Sequence, residues 1–137
     1  VKSNIISVFI LIYKIMSQQE ILEGNILIAE FYAEEKFFNH SIILHGFSED
    51  SDLFFDSQLK FHSSWDWLIP IVNKIISVIG FRTIDECTDF EWKLFTCISD
   101  MKLTTPISIT FYNCVQFIKW FNLQKKNIVL FGSFNYY

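Results

Sequence analysis

Arginine is nearly missing from this chain. Of its 11 basic residues only Arg82 is arginine, against 15 acids, for a net charge of −4 over 137 residues. Surfaces that grip nucleic acid are built on basic patches with planar guanidinium forks, so direct DNA binding is not expected. The three cysteines, Cys87, Cys97 and Cys114, lack the paired spacing of a zinc ribbon and are odd in number, which excludes a disulfide framework. Glycine (4) and proline (2) are scarce and nowhere clustered, so no linker divides the chain, and no segment repeats. The longest apolar run near the start, Ile5 to Tyr13, is shorter than the roughly 20 residues a membrane-spanning helix needs. It resembles the centre of a signal peptide, but no small-residue cleavage site follows it. The expectation is a cytoplasmic protein with free thiols and no membrane partner.

What the chain does have is apolar bulk. Half of it is hydrophobic (51%) and 18% is aromatic, including 16 phenylalanines, which excludes disorder as the main state and supplies a core for one domain. The organisation expected is an apolar extension over 1–15, a single α+β domain over 16–126, and a tail or edge strand over 127–137. Val1 is an unusual first residue, and Met16 stands directly before the first helix-start signal.

That signal is Ser17-Gln18-Gln19-Glu20, a capping box in which the Ser17 oxygen and the Glu20 carboxylate each take a backbone N–H of the other residue. Leu22, Ile26 and Ala29 recur at helical spacing, as do Ile21, Ile28 and Tyr32, predicting a helix over 17–33. Residues 36–47 read as extended, with Asn39 suited to a turn. Residues 48–57 read as an acidic loop, in which Glu49, Asp50, Asp52 and Asp56 surround Leu53, Phe54 and Phe55. The alternation of Leu59 and Phe61 with Lys60 and His62 suggests a short strand. A second helix is expected from Ser63 or Ser64, with an apolar stripe through Trp67, Leu68, Ile71, Val72, Ile75 and Ile79, an irregular first turn at Pro70 and a stop at Gly80. Strands are expected at 81–84 and 90–98. Thr105-Pro106 opens a last helix over 106–123, with Phe111, Cys114, Val115, Ile118 and Phe121 on its apolar side, and 128–131 could add an edge strand. The fold class is therefore α+β, three helices packed on a small, mostly antiparallel sheet.

Catalytic and metal chemistry find little support. His62, Ser63 and Asp66 invite a small-hydrolase reading, yet a helix cap beside packed tryptophans accounts for the same residues. His40, His45 and His62 follow no metal-ligand spacing, so no metal or other cofactor is expected. Cys114 lies on an apolar stripe, where a thiol is structural. Trp65, Trp67, Trp92 and Trp120 could stack bases with help from Lys60, Lys74, Lys119, Lys125 and Lys126, the basis of an alternative reading as a nucleic-acid-binding accessory protein.

Charge distribution is more informative. From Glu20 to Asp56 there are nine acids and one base, Lys36, whereas the four charged residues from Lys102 to Lys126 are all lysines. A carboxylate face of this kind complements a basic channel on a partner protein. The expected contacts are Glu49, Asp50, Asp52, Phe54 and Phe55, with the two aromatics as anchors.

Three further segments carry a resemblance. Residues 26–31 (ILIAEF), 60–72 (KFHSSWDWLIPIV) and 117–122 (FIKWFN) together resemble small uncharacterised proteins of Bacteroidota phages and prophages, most specifically in the HSSWDWL stretch. Phe, Ile, Asn, Lys and Tyr far outnumber Gly, Ala, Arg and Pro, a bias of AT-rich coding that suits such a source. The resemblance implies a phage-encoded accessory protein and supplies no catalytic residues. With the acidic face, it leads to a non-catalytic inhibitor of a host nucleic-acid-handling protein. The most concrete form is an anti-CRISPR acting on a CRISPR effector nuclease, with or without its guide RNA.

Overall fold

The computed structural model describes residues 16–80 and 106–130. Within them lie three helices, α1 (Gln18–Ala33), α2 (Trp65–Gly80) and α3 (Ile107–Leu130), and two short strands, β1 (Ser41–Ile43) and β2 (Leu53–Phe55), paired antiparallel. The α+β class is thus observed, with a sheet of two strands among the described residues. The strands expected at 81–84 and 90–98, Cys87, Cys97, Trp92 and the extension over 1–15 lie outside the described residues.

Helix α1 begins where its capping box places it. Glu20 N–H donates to Ser17 Oγ at 3.1 Å, and Ser17 N–H donates to Glu20 Oε1 at 3.1 Å. It ends at Glu34, a non-glycine residue in the left-handed conformation (φ 56°). The C-terminal carbonyls of Phe31 and Tyr32 accept from Lys74 Nζ at 2.9 and 3.2 Å, so a cation reaching over from α2 replaces a glycine-type cap. Helix α2 starts after Ser64, whose carbonyl accepts from Trp67 N–H and Leu68 N–H. It runs through Pro70, which removes one ladder hydrogen bond without ending the helix.

The core lies where the helices meet. Ile28, Ala29 and Phe31 of α1, Leu68, Ile71 and Ile75 of α2, and Phe111, Cys114, Val115, Phe117, Ile118 and Phe121 of α3 are all buried. At Gly24 the α1 backbone approaches α3 so closely that an added Cβ would lie 2.9 Å from Phe111 Cζ and 3.1 Å from Val115 Cγ2. An alanine there would have to displace a close-packed core. A second packing centre is aromatic. Phe47 lies 5.3 Å from Tyr32, 5.7 Å from Phe61 and 4.8 Å from Trp67, and Trp67 in turn meets Phe54 at 5.2 Å and Phe61 at 5.1 Å (ring centroids). This cluster fastens the strand pair to α1 and α2.

Three local expectations are corrected. Leu53–Phe55 is a strand inside the expected acidic loop. Leu59 to His62 is not a strand: a 3-10 turn over Asp56–Gln58 precedes a bend that feeds α2, and Leu59 and Phe61 alternate because both drop into the core. Helix α3 continues to Leu130, so residues 128–130 are helical and form no edge strand.

Candidate functional site

The strand pair sorts its side chains by the two-residue period of extended chain. Its register sets Ser41 opposite Phe55, Ile42 opposite Phe54 and Ile43 opposite Leu53. Ile42 and Phe54 therefore share the inner face and are buried, at 4% and 8% exposure. Ile43, Leu53 and Phe55 share the outer face and are about half exposed (50%, 48% and 49%), and Phe38, just before β1, is 77% exposed. A tight turn closes Phe38 onto Ser41 through reciprocal backbone hydrogen bonds of 2.9 and 3.1 Å. Asn39 and His40 at its centre both have positive φ (50° and 62°), the signature of a type I′ turn.

The acids of this segment lie on the connection between the strands and at the ends of β2. Glu49 and Asp50 are exposed on the connection between the strands. Asp52 Oδ2 lies 2.9 Å from His45 Nδ1, and Asp56 Oδ2 lies 3.7 Å from His40 Nδ1. Of the five expected contacts, Asp52, opposite Leu44, falls by the two-residue period in the row of Ile42 and Phe54, Glu49 and Asp50 are exposed on the connection between the strands, and Phe55 lies on the outer face. Phe54 is not on it: the pleat turns its ring onto Trp67, where it is core. Phe38, Ile43 and Leu53 were missed by sequence reading. Their signal was alternation about Ile42 and Phe54, carried by two strands of only three residues each.

Local hydrogen bonds occupy much of the sheet edge. Leu44 N–H donates to Asp52 O and Asp56 N–H to His40 O, so Ile42 and Phe54 face each other as the hydrogen-bonded pair, and the N–H groups of residues 41, 43, 53 and 55 point outward. Leu53 N–H is taken by Ser51 Oγ at 3.1 Å, Phe55 N–H by Gln58 Oε1 at 2.8 Å and Ser41 N–H by Phe38 O. A partner adding a strand to β2 would have to displace the Ser51 and Gln58 contacts. The surface is accordingly suited to side-chain contact through its face.

The remaining sequence candidates are dispersed. His62 is joined to Asn25 by a 2.9 Å contact between His62 Nδ1 and Asn25 Nδ2, and burial lowers its pKa from the ordinary value. Ser63 and Asp66 are both exposed and make no hydrogen bond to His62, so the three are not assembled as a catalytic group. The histidines sit on three different partners, and no three metal-ligating side chains converge among the described residues. Cys114 is fully buried, and desolvation pushes its thiol up to about 12. Within the HSSWDWL stretch, Trp67 and Leu68 are core and Trp65 packs against it, so the stretch acts as the joint that fixes α2 to the hairpin.

On α3, Lys119, Lys125 and Lys126 are exposed, with Lys125 Nζ 4.8 Å from the centre of the Phe121 ring. A cleft of about 500 Å³ lies between the end of α1, α2 and α3, with Glu30, Glu34 and Glu35 facing Lys36, Lys74 and Lys125. Its opposite charges are partly spent on each other: Glu30 pairs with Lys36 and Glu34 with Lys74, each at 3.6 Å. No helix among the described residues is long and apolar enough to cross a membrane. Comparison of the chain with family models, curated proteins and solved structures finds no match.

Proposed function

We propose that this protein is a non-catalytic binding protein that acts by docking the outer face of its β1–β2 hairpin on a basic-rimmed apolar site of a cytoplasmic host protein. The observation that carries this reading is the pattern on one hairpin: Phe38, Ile43, Leu53 and Phe55 are exposed on it, and Glu49 and Asp50 are exposed on its connecting loop. Contiguous apolar side chains rimmed by charge are the usual anatomy of a protein interface. Aromatic anchors supply most of the binding energy there, and rim carboxylates steer association with a cationic partner.

The class of partner follows from charge. Residues 48–57 hold four acids and no base, so the complementary surface is basic, as in proteins that handle nucleic acid. The likeness to phage proteins in the HSSWDWL stretch supports an inhibitor, and a CRISPR effector nuclease carrying its guide RNA is the most concrete target. The carboxylates would then occupy cationic positions that serve phosphates. The test is target-DNA cleavage by purified effector–guide complexes with this protein added. Slowed cleavage that returns with Phe55→Ser, and that weakens as salt rises, supports the reading. Inhibition that Phe55→Ser leaves intact contradicts it.

A further inference from the structure

The outer face of the hairpin is not flat. Phe38 and Ser41 are bridged by the hydrogen bonds of the tight turn, and Ser41 stands opposite Phe55 across the strand pair. Residues paired in this way carry their side chains on the same face, so Phe38, Ser41 and Phe55 form one row with the smallest member in the middle. One hydrogen-bonded and one non-hydrogen-bonded spacing place the Cα atoms of the two phenylalanines about 10 Å apart. Two rings that hold one flat group between them need roughly 7–8 Å between their planes, so a slight lean of each ring closes on such a group. Phe38 is 77% and Phe55 49% exposed, and neither ring meets another ring among the described residues. At the floor of this slot Ser41 Oγ donates its hydrogen to Phe38 O at 2.9 Å, so what the hydroxyl still offers is an acceptor.

We propose that the slot between Phe38 and Phe55 receives the guanidinium of an arginine on the partner protein. This rests on the reading of the hairpin as the docking face and names the group that enters it. Three properties of the slot select that group. Its width admits one flat group between two π-faces, and a guanidinium is planar and stacks on aromatic rings. Its floor offers an acceptor, and a guanidinium carries donors only. Its surroundings are negative: residues 37–59 hold four acids and no lysine or arginine. The next row of the same face, Ile43 opposite Leu53, is apolar and half exposed, which suits the methylene stem of the arginine. A lysine ammonium is compact, strongly hydrated and not flat, so it uses the charge but not the shape. A phenylalanine of the partner would use the shape but bring neither a donor to Ser41 nor a charge to the hairpin.

The test is an NMR titration of the isotope-labelled full chain with N-acetyl-arginine methylamide at constant ionic strength, following the Ser41 amide and the Phe38 and Phe55 rings. Saturable shifts are expected with Kd on the order of 10 mM, as for a single side chain free of its protein. The δ-methylene protons of the probe should move upfield, because they come to lie over the rings. The matching lysine and citrulline derivatives, the first cationic but not flat and the second flat but neutral, should bind at least about threefold more weakly. Ser41→Val keeps a strand-forming residue, fills the floor and removes the acceptor, and should abolish the shifts. Phe38→Ala, which takes away one wall far from the core, should do the same. Equal binding of the arginine and lysine derivatives, unchanged binding to Ser41→Val, or no saturation up to about 100 mM would overturn the proposal. The cleavage assay separates this inference from the reading beneath it. Inhibition lost with Phe55→Ser but kept with Ser41→Val would leave the hairpin as the docking face and overturn the slot.

Discussion

At Phe54 and Phe55 the pleat of a strand sends two identical neighbouring side chains into different environments, and substitution separates them. Phe54→Ala removes a ring held between Trp67 and the core and should destabilise the fold by about 2–4 kcal/mol. Phe55→Ala should change stability by no more than about 0.5 kcal/mol. Chemical denaturation of the two variants checks this directly. His62 gives a prediction in pH. Its folded pKa lies below the ordinary 6.5 because burial opposes its charged form. The stability it contributes is therefore complete above 6.5 and is lost as pH falls toward the folded value, because the unfolded chain takes up the proton first. Denaturation of the wild type and His62→Gln at about pH 7.5 and about pH 5.5 should show a smaller loss on acidification in the variant. An equal loss in both would remove His62 from the account.

Among the elements, the turn into β1 and the end of α1 carry the clearest consequences of a glycine-poor sequence. Asn39 and His40 hold positive φ without a glycine. His40→Gly should stabilise the hairpin by about 1 kcal/mol, since a left-handed backbone costs any L side chain roughly that amount. A rise in the denaturation midpoint measures it. Lys74→Met should cost about 1–2 kcal/mol, because the Phe31 and Tyr32 carbonyls lose a charged donor, and amide exchange at the end of α1 should quicken with it. The elements differ in how plainly the sequence announces them. Helix α1 was legible to the residue because its capping box is local chemistry. Helix α3 outran expectation because Lys125 and Lys126 resemble a helix end, yet no glycine or proline stands between them and Gly132. Strand β2 was hidden because three residues cannot display a period, and its serine and aspartate neighbours read as loop. The candidate surface was therefore half legible. Its carboxylates and Phe55 were visible as a cluster, whereas Phe38, Ile43 and Leu53 join them only once β1 and β2 are paired.

Among the described residues, three helices bury most of the apolar side chains, and the aromatic cluster around Phe47 and Trp67 fastens the hairpin to them. Its inner face is spent on the core and its outer face is left to solvent. Lys119, Lys125 and Lys126 lie on a different element, α3, so neutralising them should leave partner binding unchanged, while raising salt should weaken binding through the hairpin's acids. The most direct test is a capture experiment from host lysate with the wild type, the folded double variant Ile43→Ser/Phe55→Ser and a triple lysine-to-glutamine variant of α3. The account predicts one stoichiometric protein partner, retained by the α3 variant and lost by the hairpin variant, with a loss of at least about tenfold in affinity once that partner is purified. A partner that stays bound to the hairpin variant, or that leaves only when the α3 lysines are removed, would contradict it.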